Sequence, residues 1–133
     1  MHVRLRVGAE TYALAVENVL EVAQLGQIAP VPGSGPYVLG VYNLRGEVLP
    51  VFDLSKLFGI AREGLPERLL VAEHAGRKAG FAVDEVTDVG VLPDVSQEAE
   101  SDFLSGAALL EGELVGIIDV ARVFGALERG GAG

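Results

Sequence analysis

Cysteine is missing from all 133 residues, and with it go disulfide frameworks, thiol nucleophiles and cysteine metal sites. Its absence suits a cytoplasmic protein. Histidine is nearly missing too: His2 is terminal, and His74 stands alone before a turn, without the partners that a metal site or an acyl-transfer triad needs. Basic residues are also few, 10 against 19 acidic for a net charge of −9, and they stand singly or in pairs such as Arg77-Lys78. Nucleic acid is therefore not an expected partner, because phosphate backbones need clustered cations. Long apolar runs are absent as well, and Met1-His2-Val3-Arg4-Leu5-Arg6 alternates where an export segment would be continuously apolar. Neither a membrane span nor an export signal is expected.

Apolar residues, by contrast, make up half of the chain, enough for one domain with its own core and no metal or disulfide support. A segment also occurs twice. Gly40 to Gly59, reading GVYNLRGEVLPVFDLSKLFG, is echoed at a constant offset by Gly106 to Gly125, reading GAALLEGELVGIIDVARVFG. Shared positions report what the fold needs, and differing ones what a single copy does. Gly46 and Gly112, Asp53 and Asp119, and Phe58 and Phe124 are shared, which makes Phe58 a core candidate. The sharpest difference is Arg45 against Glu111 at the turn. A weaker echo sets Val16, Val19 and Val22 over Val83, Val86 and Val89, with an offset one residue longer.

Val3, Leu5 and Val7 alternate with Arg4, Arg6 and Gly8, and Gly8-Ala9-Glu10 turns the chain into Thr11 to Ala15, so a β-hairpin is expected. The spacing of Val16, Val19, Leu20 and Ala23 predicts a short helix or helical turn before Ile28. Pro30, Pro32, Gly33, Gly35 and Pro36 mark a structured loop. Strands flank the Arg45-Gly46 turn, with Val38, Leu39, Val41, Leu44, Val48 and Leu49 mostly in the core. Arg68 to Ala72 and Lys78 to Val83 form another strand pair. Asp53 and Asp119 are placed to cap short helices, a better account of their matched positions than a catalytic acid and base pair. Residues 128–133 are expected to be a flexible tail. Each half is too small to bury its own faces, so two small barrels sharing one core are expected, with closure removing the sheet edges.

Pro32-Gly33-Ser34-Gly35-Pro36 lacks the Lys-Ser/Thr ending of a phosphate loop, and no convergent polar set suggests an enzyme. Neither a cofactor nor a metal is expected. Arg45 is the sharper signal. The second copy keeps the turn with glutamate, so the fold does not demand a cation there, and Arg45 is read as a partner contact.

The stretch Gly40 to Leu54 resembles the hallmark of the CheW-like coupling domain of bacterial chemotaxis, of the form G-V-x-N-L-R-G followed by two apolar residues, proline, two apolar residues and D-L. Tyr12-Ala13-Leu14, Pro30-Val31-Pro32, Gly80 to Val86 and Leu114 to Phe124 extend the resemblance over residues 3–125. It implies an all-β fold of two intertwined five-stranded SH3-like barrels with a common hydrophobic core, short capped helices and no catalysis. Such a domain, here 1–133, bridges the cytoplasmic helical hairpin of a chemoreceptor and the CheW-like regulatory domain of the chemotaxis histidine kinase. Carried over by motif, Val19, Glu21, Gly40, Asn43, Arg45 and Val89 are the expected partner-binding residues. An adaptor in a related chemosensory pathway, such as one for twitching, is the nearest alternative. A small-molecule-binding barrel is the distant one.

Overall fold

The structure is a computed structural model that describes residues 1–133 except 34, 62–63, 65, 96, 99–100 and 132–133; for residues 127–131 only the backbone is described. Ten strands and two α-helices follow one another as two passes of the same plan. The first pass is β1 (His2–Val7), β2 (Glu10–Ala15), β3 (Val19–Gln24), β4 (Val38–Leu44), β5 (Glu47–Asp53) and α1 (Leu54–Phe58). The second is β6 (Arg68–His74), β7 (Arg77–Val83), β8 (Glu85–Gly90), β9 (Leu104–Leu110), β10 (Glu113–Ile118) and α2 (Val120–Gly131).

The sheets do not follow the passes. One is ordered β8-β1-β2-β10-β9, the other β3-β6-β7-β5-β4. The first hairpin of each pass has thus crossed into the barrel completed by the other pass, joined there by the parallel pairs β2 with β10 and β7 with β5. This reciprocal exchange is what intertwines the barrels. Neither half retains a complete sheet of its own, so separation would expose apolar faces on both.

A single cluster fills the space between the sheets, containing Leu5, Leu14, Phe52, Phe81 and Phe124 among its buried residues. Phe52 meets Phe81 edge-on with ring centroids 5.9 Å apart, and Phe124 lies within 6.5 Å of both rings. A second cluster, Leu49, Val51, Leu69, Val71 and Ala82, lies inside the β3–β7 barrel. Phe58 is half-buried rather than core, stacked on Tyr12 at 4.4 Å. Burial, and after it the charge of Glu10, push the Tyr12 hydroxyl from its ordinary 10.0 up to about 12. The folded protein therefore holds this proton more tightly than the unfolded chain. The associated stability is complete below about pH 10 and is lost as pH rises toward about 12, by roughly 1–2 kcal/mol after allowance for solvent screening. Urea midpoints across that range should fall more steeply in the wild type than in Tyr12→Phe.

Four expectations change. Val19, Leu20 and Ala23 lie in a strand, and only Val16–Asn18 forms a 3₁₀ turn. The ladder to β6, interrupted by a bulge after Val19, overrides the apparent helical spacing with its own two-residue period. Of the six apolar residues flanking the Arg45 turn only Leu49 is buried: Val38, Leu39, Val41 and Leu44 are half-buried on the end strand β4, and Val48 on β5 is 61% exposed. Nor do the sheets close by backbone pairing: among the described residues no ladder joins β3 to β4 or β8 to β9. Isolated bridges, Ala29 with Val41 and Gln97 with Ala107, cover the β4 and β9 edges instead. Finally, α2 runs through Gly131, into the stretch expected to be a tail, while residues 132–133 lie outside the described residues.

The two helix caps form as expected, with unequal surroundings. Asp53 is buried, and its Oδ1 accepts from the Ser55 backbone N–H at 3.0 Å and the Ser55 hydroxyl at 2.6 Å. Asp119 is only half-buried and accepts from the Arg122 N–H at 3.2 Å. Asp53→Ala strands two donors of a buried serine and should cost about 2 kcal/mol in urea denaturation. Asp119→Ala should cost about 1 kcal/mol or less.

Candidate protein-interaction surface

The β4–β5 turn consists of Arg45 at φ +50° and Gly46 at φ +88°. Two-residue hairpins need positive φ at both central positions, so a residue with a Cβ is strained at the first. Ala75-Gly76 and Glu111-Gly112 repeat these angles, with φ of +52° and +79° and of +51° and +81°. The backbone thus accepts alanine, glutamate or arginine at one geometry, and the side chain is free for other purposes. Asn43 ties this turn down, its Oδ1 accepting from the Gly46 N–H at 2.8 Å. Its counterpart in the other copy is Leu109, so this local brace belongs to one turn alone.

Arg45 is not a free cation. Its Nη2 donates to Glu21 Oε2 at 2.5 Å, and that hydrogen bond together with the Glu21 charge holds the guanidinium further into its charged form. The arginine side chain remains 72% exposed and the glutamate 30%. Glu21 is on β3 and Arg45 at the tip beyond β4, the two end strands of one sheet, so the ion pair joins edges that the backbone leaves unpaired. Beside it Lys78 Nζ reaches Glu47 Oε1 at 3.0 Å. Leu20, Leu44 and Val71 complete a shallow cleft of about 210 Å³ around these charges.

The other barrel keeps the acid and moves the arginine. Ladder registers superpose Glu21 opposite Val71 on Asp88 opposite Arg4. Asp88 is accordingly satisfied by Arg4 on the neighbouring strand. Glu111 at the corresponding turn adds a second acid on that side. Equivalent positions of the two copies therefore present opposite charge at the turn.

Val19 and Val86 are also equivalent, and both pack against the shared core from end strands of different sheets. The next core-side valine on each strand, Val22 opposite Leu70 and Val89 opposite Val3, is exposed, 42% and 50% respectively. Such exposed apolar residues at the edge of a core are suited to an apolar partner surface, and Val22 lies on the face of β3 opposite to the one that carries Glu21. Val19 and Val89 are among the expected partner-binding residues, and Val86 and Val22 are their counterparts in the other copy. The valine echo had placed all four in matched pairs. Gly40 is different: it is buried at φ +154°, and an added Cβ would come within 2.3 Å of the Ala29 carbonyl oxygen. Its contribution is to let the 29–41 bridge form, with both N–H···O distances at 2.9 Å.

Among the described residues no three His, Cys, Asp or Glu side chains are grouped to hold a metal, and no helix is long and apolar enough to cross a membrane. A double barrel whose distinctive groups are an edge-bridging ion pair and a rim of exposed valines is a protein-interaction module. Known proteins make this specific. Residues 2–128 match the family described as the CheW-like domain. The chain is 31% identical to "Chemotaxis protein CheW" of Rhizobium meliloti (strain 1021), over 96% of this chain and 88% of that protein. It is 34% identical to the protein of the same name from Bacillus subtilis (strain 168), over 88% and 81%. Among solved structures, the scaffolding protein TtCheW from Thermoanaerobacter tengcongensis superposes with a TM-score of 0.80 at 30% identity, covering 89% of this chain and 87% of that one. The chain belongs to the CheW-like domain family.

Proposed function

We propose that this protein is a non-catalytic scaffold of chemotaxis signal transduction, coupling the cytoplasmic helical hairpin of a chemoreceptor to the CheW-like regulatory domain of the chemotaxis histidine kinase. The observation that carries this reading is the exposed Arg45–Glu21 pair across the end strands β3 and β4, with exposed valines, Val22 and Val89, on end strands of the two sheets. A receptor helix lays apolar side chains on the valines, as amphipathic helices do in grooves, and Arg45 offers its remaining donors to a carboxylate or a helix-end carbonyl. The names of the relatives, chemotaxis proteins and a scaffold, support the same reading. The protein is drawn to receptor clusters through these contacts, without inserting into the membrane.

Isothermal titration against a receptor-tip fragment and, separately, the kinase regulatory domain tests the proposal. Val22→Glu and Val89→Glu, both at exposed positions, should each weaken receptor binding at least tenfold while leaving the melting temperature nearly unchanged. Failure of the wild-type protein to bind either partner would sink the scaffold reading.

A further inference from the structure

On another part of the surface, β2, β9, β10, the end of α1 and residues Gln97, Glu98 and Ser101 of the loop before β9 line an open cleft of about 340 Å³. Tyr12 and Phe58, stacked ring on ring, form one wall, and Leu104 and Leu114 contribute aliphatic surface. Gly116 makes the wall possible, since a Cβ there would come within 3.0 Å of both the Tyr12 ring and Leu104. The polar lining is one-sided. Glu10 and Glu98 line the cleft, Thr11 beside them is hydrogen-bonded to Glu113, and among the described residues neither Lys nor Arg lines it.

Tyr12 supplies a second, independent sign of a ligand. The residue is only 8% exposed, yet among the described residues its hydroxyl makes no hydrogen bond. A buried hydroxyl without a partner costs free energy that a donor from a bound molecule recovers. Glu10, two residues before Tyr12 on β2, lines the same cleft.

We propose that this cleft binds a small organic cation: an amidinium, guanidinium or ammonium group on an apolar, preferably aromatic, body. The apolar body occupies the space against Tyr12, Phe58 and Leu114, while the cation donates to the Tyr12 oxygen and lies toward Glu10 and Glu98. Anions of the same shape are excluded by the carboxylates. The site adds a ligand-responsive element to the protein and does not rest on the scaffold reading, because none of its residues belongs to the valine rim or the Arg45–Glu21 pair.

Benzamidine is a suitable probe, titrated into the full chain and followed by ¹H–¹⁵N spectra, with neutral benzamide and anionic benzoate as controls. Saturable shifts centred on the amides of Thr11, Tyr12, Ala107 and Gly116 are expected, with benzamide at least about fivefold weaker and benzoate inert. Tyr12→Phe keeps the ring and its stack, so the fold should persist while benzamidine affinity falls about five- to tenfold. The double change Glu10→Gln with Glu98→Gln should abolish the preference for benzamidine over benzamide. Unsaturable shifts scattered over acidic surface, equal binding of benzamide, or undiminished binding by Tyr12→Phe would each overturn the proposal.

Discussion

Gly40→Ala should be the most damaging small substitution in this chain, lowering stability by about 3 kcal/mol or more in urea denaturation. The new methyl group meets the Ala29 carbonyl oxygen at 2.3 Å and its carbon at 2.8 Å, so the conflict is with backbone and no flexible side chain can move aside. Either β4 shifts or the Ala29–Val41 bridge breaks and uncovers the sheet edge. Gly46→Ala and Gly112→Ala are the controls. They sit at φ +88° and +81°, against +154° for Gly40, with nothing within 4 Å of an added Cβ, so only the conformational strain of about 1–2 kcal/mol remains. Equal losses at all three positions would mean that close approach is not what requires glycine at residue 40.

Arg45→Glu should leave the fold nearly intact and reduce partner binding by at least tenfold, as read by titration against the receptor-tip fragment and the kinase domain. Glu111 holds the same turn at φ +51°, so the backbone accepts the replacement. The ion pair to Glu21 is lost, but so exposed a pair contributes little to stability. Loss of binding then has two possible causes, the missing cation or the opened sheet edge. Combining Arg45→Glu with Glu21→Arg separates them. The reversed pair restores the edge-to-edge link while inverting both charges, and continued failure to bind assigns the effect to the charges of the pair rather than to the link. Restored binding would make the link itself the requirement.

Much of this was legible in the chain. The duplicated Gly40–Gly59 segment implied two copies of one unit, and Asp53 and Asp119 marked both helix starts. Substitution of Arg45 by Glu111 pointed to the turn where an exposed arginine stands. These signals are local: a cap, a two-residue turn and an alternating strand act within a few residues, so sequence periodicity carries them. What failed was equally instructive. Val19 to Ala23 read as helical because four apolar residues happened to fall at helical spacing, whereas their conformation is imposed by β6, nearly fifty residues away. The motif marks Gly40 without saying why, and its approach to Ala29 is invisible until the loop folds back.

By itself, then, the sequence determined a two-copy, all-β domain with capped helices and an unmatched arginine at one turn. Only the tertiary structure decided which strands share a sheet, that Arg45 is held by Glu21 across two end strands, and that Asp88 in the other barrel is held by Arg4 instead. The physical reason is separation along the chain. Strand exchange and edge-bridging ion pairs join residues that no local pattern relates, and they exist only once a shared core has brought the end strands together.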